Sequence, residues 1–220
     1  MLSFEDWGLI DYQKALERQQ KLFSEALEQK QSGQKVQNRI IFCEHPHVLT
    51  LGKNADQQNV LFSEKILSEK GISLVRTERG GDVTYHGPGQ LVVYPIIDLE
   101  SFGRGLKQYI ETLEEIVIQL LREEYKIRSE RMPGATGIWL DTKNPALIRK
   151  IGAIGVKSSR YVTMHGLALN VNTDLSYFSL INPCGFIDKG VTSVARELNA
   201  PQDLTQCRNA FQRLAEKLFS

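Results

Sequence analysis

The tripeptide Pro183-Cys184-Gly185 follows a basic, glycine-punctuated run, Arg149-Lys150-Ile151-Gly152-Ala153-Ile154-Gly155-Val156-Lys157. Between proline and glycine, a cysteine belongs to a loop or an element end, not to the interior of a helix or central strand. Its thiolate is the nucleophile, and an ordinary thiol pKa of about 8.5 leaves most of it protonated near neutrality. A cation nearby lowers that pKa. Arg149, Lys150, Lys157 and Arg160 supply cations on a predicted strand and the turn after it. One chemistry for the pair is acyl transfer by a Cys nucleophile with a Lys partner. The other reading is a buried cysteine that acts as a small hydrophobe.

A second segment, Arg79-Gly80-Gly81-Asp82-Val83-Thr84-Tyr85-His86-Gly87-Pro88-Gly89-Gln90, sets four glycines among Arg, Tyr, His and Gln. Glycine lets a backbone approach a ligand closely, and exposed N–H groups hold a carbonyl or an anion. The segment has neither the Gly-Lys-Ser/Thr ending of a P-loop nor a GxGxxG fingerprint. His45, His47, His86 and His165, with Cys184, are the available metal ligands. They show no paired-cysteine spacing, so no metal is expected. Cys43, in a β-rich run, and Cys207, on a helix, read as structural. Three cysteines without a CxxC pair point to a reducing compartment rather than a disulfide framework.

The elements that must position these groups follow from periodicity. Leu9, Tyr12, Leu16, Phe23 and Leu27 recur at helical spacing up to Gly33. Arg39 to Cys43, Val48 to Leu51 and Leu74 to Thr77 read as strands. Leu91 to Leu99 is a strand broken by Pro95, and so not central along its whole length. Leu106, Tyr109, Ile110, Leu113, Val117, Leu120 and Leu121 form the strongest helical stripe, with Glu111, Glu114, Glu115, Arg122 and Glu123 on its wet face. Gly137 to Leu140, Lys150 to Val156 and Val162 to Val171 are strands, and Ala210, Phe211, Leu214 and Leu218 mark a last helix. Strands gathered between helical ends predict an α+β fold with a mixed or largely antiparallel sheet, one domain over residues 1–220.

Composition narrows the classes. Hydrophobic residues make up 41% and charged residues 24% of the chain, ordinary for a globular protein, and the formal net charge is +1. A strongly basic nucleic-acid binder is not indicated. No run reaches the ~18 apolar residues of a membrane span, and the first residues lack a signal-peptide pattern. The expected location is the cytoplasm.

The segment Arg79 to Gln90 closely resembles the RGG-x-x-T-x-H-G-P-G-Q signature of the lipoyl(octanoyl) transferases. Lys150-Ile-Gly-Ala-Ile-Gly155 resembles that family's K-[IL]-x-x-[IL]-G segment, His165-Gly-Leu-Ala-Leu-Asn170 its H-G-x-A-L-N strand, and Asn182-Pro-Cys-Gly185 its P-C-G loop. Glu44-His45-Pro46 is similar to its EHP element. The resemblance implies a fold shared with the catalytic domains of biotin and lipoate protein ligases. It implies transfer of an octanoyl group from octanoyl-acyl carrier protein to a lysine of lipoyl domains, those of 2-oxoacid dehydrogenase E2 subunits and the glycine cleavage H protein. Cys184 would be the acyl-thioester nucleophile and Lys150 its catalytic partner. Arg79, Gly80, Gly81, Asp82, Val83, Thr84, Tyr85 and His86, with Ala153, Ile154, Gly155, Gly166, Leu167 and Ala168, would line the substrate site. A carrier thioester is already activated, so neither ATP nor another cofactor is implied. Tyr85, Ile154, Val156, Leu167 and Ala168 are candidates for an apolar slot that takes the acyl chain. The nearest alternative on the same fold is an ATP-dependent lipoate or biotin ligase, which needs no cysteine.

Overall fold

The computed structural model describes residues 2–182 and 190–220. Pro183, Cys184 and Gly185 lie outside them. The main sheet runs in the order β1 (Ser3–Leu9), β2 (Arg39–Glu44), β6 (Gln90–Ile96), β10 (Val162–Asn170), β9 (Arg149–Ser159), β8 (Ala135–Leu140), β7 (Glu130–Met132). β1 is parallel to β2, and the pairs from β2 to β7 along this path are antiparallel. β11 (Gly190–Val191) runs parallel to β9 and pairs with Arg149 and Lys150. A small second sheet has the order β4 (Ser73–Arg76), β3 (Val48–Leu51), β5 (Val83–His86). The mixed, mostly antiparallel sheet is as the sequence predicts.

Helices cover both faces of the main sheet, and two short ones, α2 (Glu64–Glu69) and α4 (Val194–Leu198), lie on the connections. On one face α3 (Leu106–Tyr125) and α5 (Leu204–Leu218) bury Leu113, Ile116, Val117, Leu120, Phe211 and Leu214 against Val93, Ile138, Ile151 and Leu169. On the other face α1 (Tyr12–Gln31) buries Tyr12, Ala15, Leu16, Phe23 and Ala26 against Ile41, Val92, Tyr94, Met164 and Ala168. The alternation of β10 has the physical cause expected of a strand covered on both sides, with successive residues feeding opposite cores.

Two local expectations need correction. Leu9 belongs to β1, not to the first helix, and is 63% exposed. Asp11 starts the helix instead, its carboxylate accepting the Lys14 N–H. Glu114 is not on the wet face of α3: it is buried, where it accepts hydrogen bonds from Gly137 N–H and Arg131. Val83 to His86 forms a strand although it follows a glycine turn, because its backbone pairs with β3 from Leu51 to Val48.

Pro95 behaves as its chemistry dictates. β6 pairs with β10 from Gln90 to Val93 and with β2 from Val92 to Ile96. Continuing the β10 register places Pro95 opposite His165. Proline has no N–H to give, and His165 sits at φ +59, its own N–H turned to the Gln19 side chain of α1 at 3.2 Å.

Candidate active site

A cleft of about 1030 Å³, its solvent-open mouth included, lies where the α1 face of the main sheet meets the small sheet. The glycine-rich turn after β4 forms one wall. Gly80 N–H donates to Val156 C=O of β9 at 2.9 Å, and Lys53 N–H donates to Arg79 C=O at 2.9 Å, so the turn is stitched to both sheets. β9 and β10 form the floor. Of the residues anticipated at the site, Arg79, Gly80, Gly81, Asp82, Val83, Thr84 and His86 line the cavity. So do Lys150, Ala153, Ile154, Gly155, Gly166, Leu167 and Ala168.

Tyr85 does not line it. Strand alternation turns Tyr85 the other way, into the core of the small sheet, where it stacks on Tyr177 with ring centroids 5.0 Å apart and lies near-parallel to His47 at 6.1 Å. Its hydroxyl meets His47 Nδ1 at 2.8 Å. Val156 packs against the α3–α5 core instead of the cavity. Cys184 lies outside the described residues. Just beyond that segment, Gly190 and Val191 line the cavity and pair with Arg149 and Lys150.

Tyr12, Gln90, Tyr94, Trp139 and Asn170 also line the cavity and were not singled out from the sequence. Gln90 was legible as the end of the glycine-rich segment. Tyr12 was concealed within a helical stripe that reads as ordinary core.

The charged residues on the cavity wall, among those described, are Arg79, Asp82 and Lys150. Arg79 is buried, and its guanidinium donates to Thr50 C=O at 2.6 Å, to Thr50 Oγ1 at 2.9 Å and to Gly80 C=O at 3.1 Å. These bonds fix the guanidinium, and its positive charge, on the cavity wall. The histidines respond to burial and to this charge. His45 is lowered to about 4 by burial, and His86 to about 3 by burial, His45 and Arg79. His165 is lowered to about 4 by burial and Arg79. The three are neutral near pH 7. His45 Nδ1–H donates to Ile10 C=O at 2.7 Å, so Nε2 accepts the Tyr94 hydroxyl at 2.7 Å. His86 Nδ1–H donates to Gln90 Oε1 at 2.7 Å.

Lys150 is held differently. Its position opposite Trp139 in the β8–β9 ladder puts Nζ 4.4 Å from the indole centroid, a cation–π distance. Nζ also donates to Thr136 C=O at 3.3 Å. Arg149, its neighbour on the strand, leaves the site and forks onto Glu197 at 2.7 Å on both carboxylate oxygens, and it pairs with Asp141 as well. Lys157 pairs with Glu78. Of the four cations on this stretch, Lys150 is the one that lines the cavity.

No group of three or more metal-ligating side chains occurs among the described residues. No helix among them is long and apolar enough to cross a membrane.

This architecture, a mixed sheet with helices on both faces, is that of the lipoate and biotin protein ligase catalytic domains. The bi-partite lipoate protein ligase of Thermoplasma acidophilum superposes with a TM-score of 0.70 at 17% identity, over 98% of this chain and 82% of that one. The apo biotin protein ligase of Aquifex aeolicus gives 0.53 at 12% identity, over 99% and 69%. Residues 11–215 match the lipoyl protein ligase A/B catalytic domain. The octanoyltransferase of Parabacteroides distasonis is 53% identical over 99% of this chain and 98% of its own length. The chain belongs to the lipoyl protein ligase A/B catalytic domain family, and it is an enzyme of the acyltransferase class.

Proposed function

We propose that residues 1–220 form one catalytic domain that moves an octanoyl group from octanoyl-acyl carrier protein to a lysine of lipoyl domains, through a thioester on Cys184. The observation that carries the reading is Lys150, a cation on the wall of a glycine-lined cavity, in a chain 53% identical to an octanoyltransferase.

In the first step the Cys184 thiolate attacks the carbonyl of the carrier thioester. The new C–S bond forms as the bond to the carrier's sulfur breaks, and the carrier thiol leaves with a proton. In the second step the neutral amine of the acceptor lysine attacks the acyl-enzyme. An amide forms, one amine proton is released, and Cys184 returns as thiol or thiolate. Covalent catalysis of this kind divides one hard transfer into two easier ones. Protonated, Lys150 favours the thiolate; neutral, it takes the proton of the acceptor amine. His86 and His165 on the cavity wall, and His45 beside His86, have proton affinities too low for effective base catalysis near pH 7, so this task falls to Lys150. The acyl chain lies against Ile154, Leu167 and Ala168. The acceptors are the lipoyl domains of 2-oxoacid dehydrogenase E2 subunits and the glycine cleavage H protein, in the cytoplasm.

The test is intact-protein mass spectrometry after incubation with octanoyl-acyl carrier protein and no ATP. The expected result is one octanoyl adduct, lost on adding a lipoyl domain and absent in Cys184→Ala. Transfer that requires ATP and survives Cys184→Ala would instead establish an adenylate-forming ligase on the same fold.

A further inference from the structure

The Lys150 ammonium leans on a single peptide unit that a buried carboxylate grips from its other end. Nζ donates to the Thr136 carbonyl at 3.3 Å. The N–H of the same peptide, that of Gly137, donates to Glu114 Oε1 at 3.0 Å. Glu114 is 6% exposed on α3, and its second oxygen accepts from Arg131 Nε of β7 at 3.1 Å. Arg131 also reaches Glu115 Oε2 at 2.7 Å and the Glu111 carbonyl at 2.9 Å.

Gly137 is required for this arrangement. Its φ is +126, a conformation that side chains rarely adopt, and a Cβ there would lie 2.7 Å from Gly152 C=O and 3.4 Å from Lys150 Cε. A substituted residue would therefore push on the ladder and come into contact with the lysine. A carboxylate on the N–H side of a peptide polarises it, and its carbonyl becomes a better acceptor for a cation. A buried carboxylate in a helix that otherwise presents an apolar face is costly, and carriers of such groups are usually explained by what they hold.

We propose that Glu114 is a positioning residue of the acyl-transfer site, holding the Lys150 ammonium against the cavity wall through the Thr136–Gly137 peptide. The proposal rests on the reading of Lys150 as the partner of the nucleophile, and it adds a residue from the opposite face of the sheet. The charged groups joined to this peptide by hydrogen bonds or ion pairs, among the described residues, are Glu114 and Glu115 of α3 and Arg131 of β7; Glu130 also lies on β7, and Arg79 and Asp82 share the cavity wall with Lys150. Beside them stands the Arg149 cluster with Asp141 and Glu197.

The experiment measures the titration of the Lys150 amine directly, by competitive acetylation across pH with mass spectrometry of its peptide. Glu114→Gln keeps an oxygen for the Gly137 N–H and removes the charge. The Lys150 midpoint is expected to fall by about one pH unit, as for loss of one partly screened charge. Arg131→Met removes a cation from the far end and is expected to move the midpoint up by a smaller amount. A purely structural role for Glu114 has no reason to produce shifts of opposite sign. Turnover in Glu114→Gln is expected to fall about tenfold with the donor KM unchanged.

An unmoved Lys150 midpoint in a folded Glu114→Gln protein overturns the proposal. Should that variant not fold, an unmoved midpoint in Arg131→Met overturns it equally. Opposite shifts with unchanged turnover leave the positioning intact and remove Lys150 from the chemistry, which separates this inference from the reading beneath it.

Discussion

His86 and His165 line the cavity, His45 packs against His86, and none of the three can accept a proton cheaply. His45 and His86 have ring centroids 6.0 Å apart, and Tyr12 packs on both. His165 Nδ1 is buried with no hydrogen-bond partner. Each has a folded pKa of about 3 to 4, below the unfolded value near 6.5. The unfolded chain therefore binds protons that the folded one refuses. Stability is fully present above about pH 6.5 and is lost as pH falls toward 4, by at most about 1.4 kcal/mol per pH unit for each group. The first two titrate as a coupled pair, so the losses do not simply add. Urea unfolding at pH 7, 6 and 5 is expected to show this slope. His165→Asn, which keeps a residue tolerant of its left-handed conformation, should flatten it. An equal slope in the variant would remove His165 from the account. The cysteines give a companion expectation. Burial raises the Cys43 thiol, and it pushes Cys207 up to about 12. Neither is expected to react with iodoacetamide in native protein at pH 8, whereas the reading of Cys184 as nucleophile requires that it does. Peptide mapping after brief labelling decides both points.

At the scale of elements, the junction of β6 and β10 is where the sheet gives up regularity to shape the floor of the cavity. Pro95 cannot donate, His165 turns left-handed, and the two strands close to a distance that only Gly166 allows. A Cβ at Gly166 would sit 2.0 Å from Val93 C=O and 2.7 Å from Pro95 Cδ. Both neighbours are fixed, one being backbone and the other a ring, so the strands themselves would have to part. Gly166→Ala is expected to cost at least about 3 kcal/mol. For a chain of this length that is a fall in Tm of about 6–12 °C, readable by differential scanning calorimetry. A loss under one degree would mean that the sheet relaxes freely at this point.

The whole molecule carries a net charge of +1, so any attraction of the proposed acidic carrier has to come from a local patch. Arg149 is committed to Glu197 and Asp141, and Lys157 to Glu78, which is itself exposed. The exposed cations on this side are therefore partly neutralised, and any steering should be modest. Lys157→Glu with Arg160→Glu is expected to lower kcat/KM for octanoyl-acyl carrier protein several-fold at low salt, with the difference shrinking as salt screens it. Transfer from octanoyl-CoA should be unchanged, because it makes no use of the carrier surface. Steady-state assays with both donors over a salt series check this, and equal losses with both would place the effect on folding.

The sequence by itself determined the order of most strands and helices, the apolar faces of α1, α3 and α5, and the glycine-rich wall. These are local matters, written in periodicity and in residues whose backbone preferences are strong. It also carried the family, through four short motifs in the right order. Only the tertiary structure decided which members of each motif share a surface. Tyr85 sits inside the best-marked segment, yet strand alternation turns it out of the cavity, while Thr84 and His86 line it. Arg149 and Lys150 are equivalent as sequence, but the ladder sends one to Glu197 and the other over Trp139. Glu114 read as solvated because helical periodicity reports the angle around an axis. Burial depends on what the chain packs there, and a carboxylate is tolerated inside when a peptide N–H and a guanidinium meet it. Those partners lie on β7 and β8, and no pattern within α3 announces them.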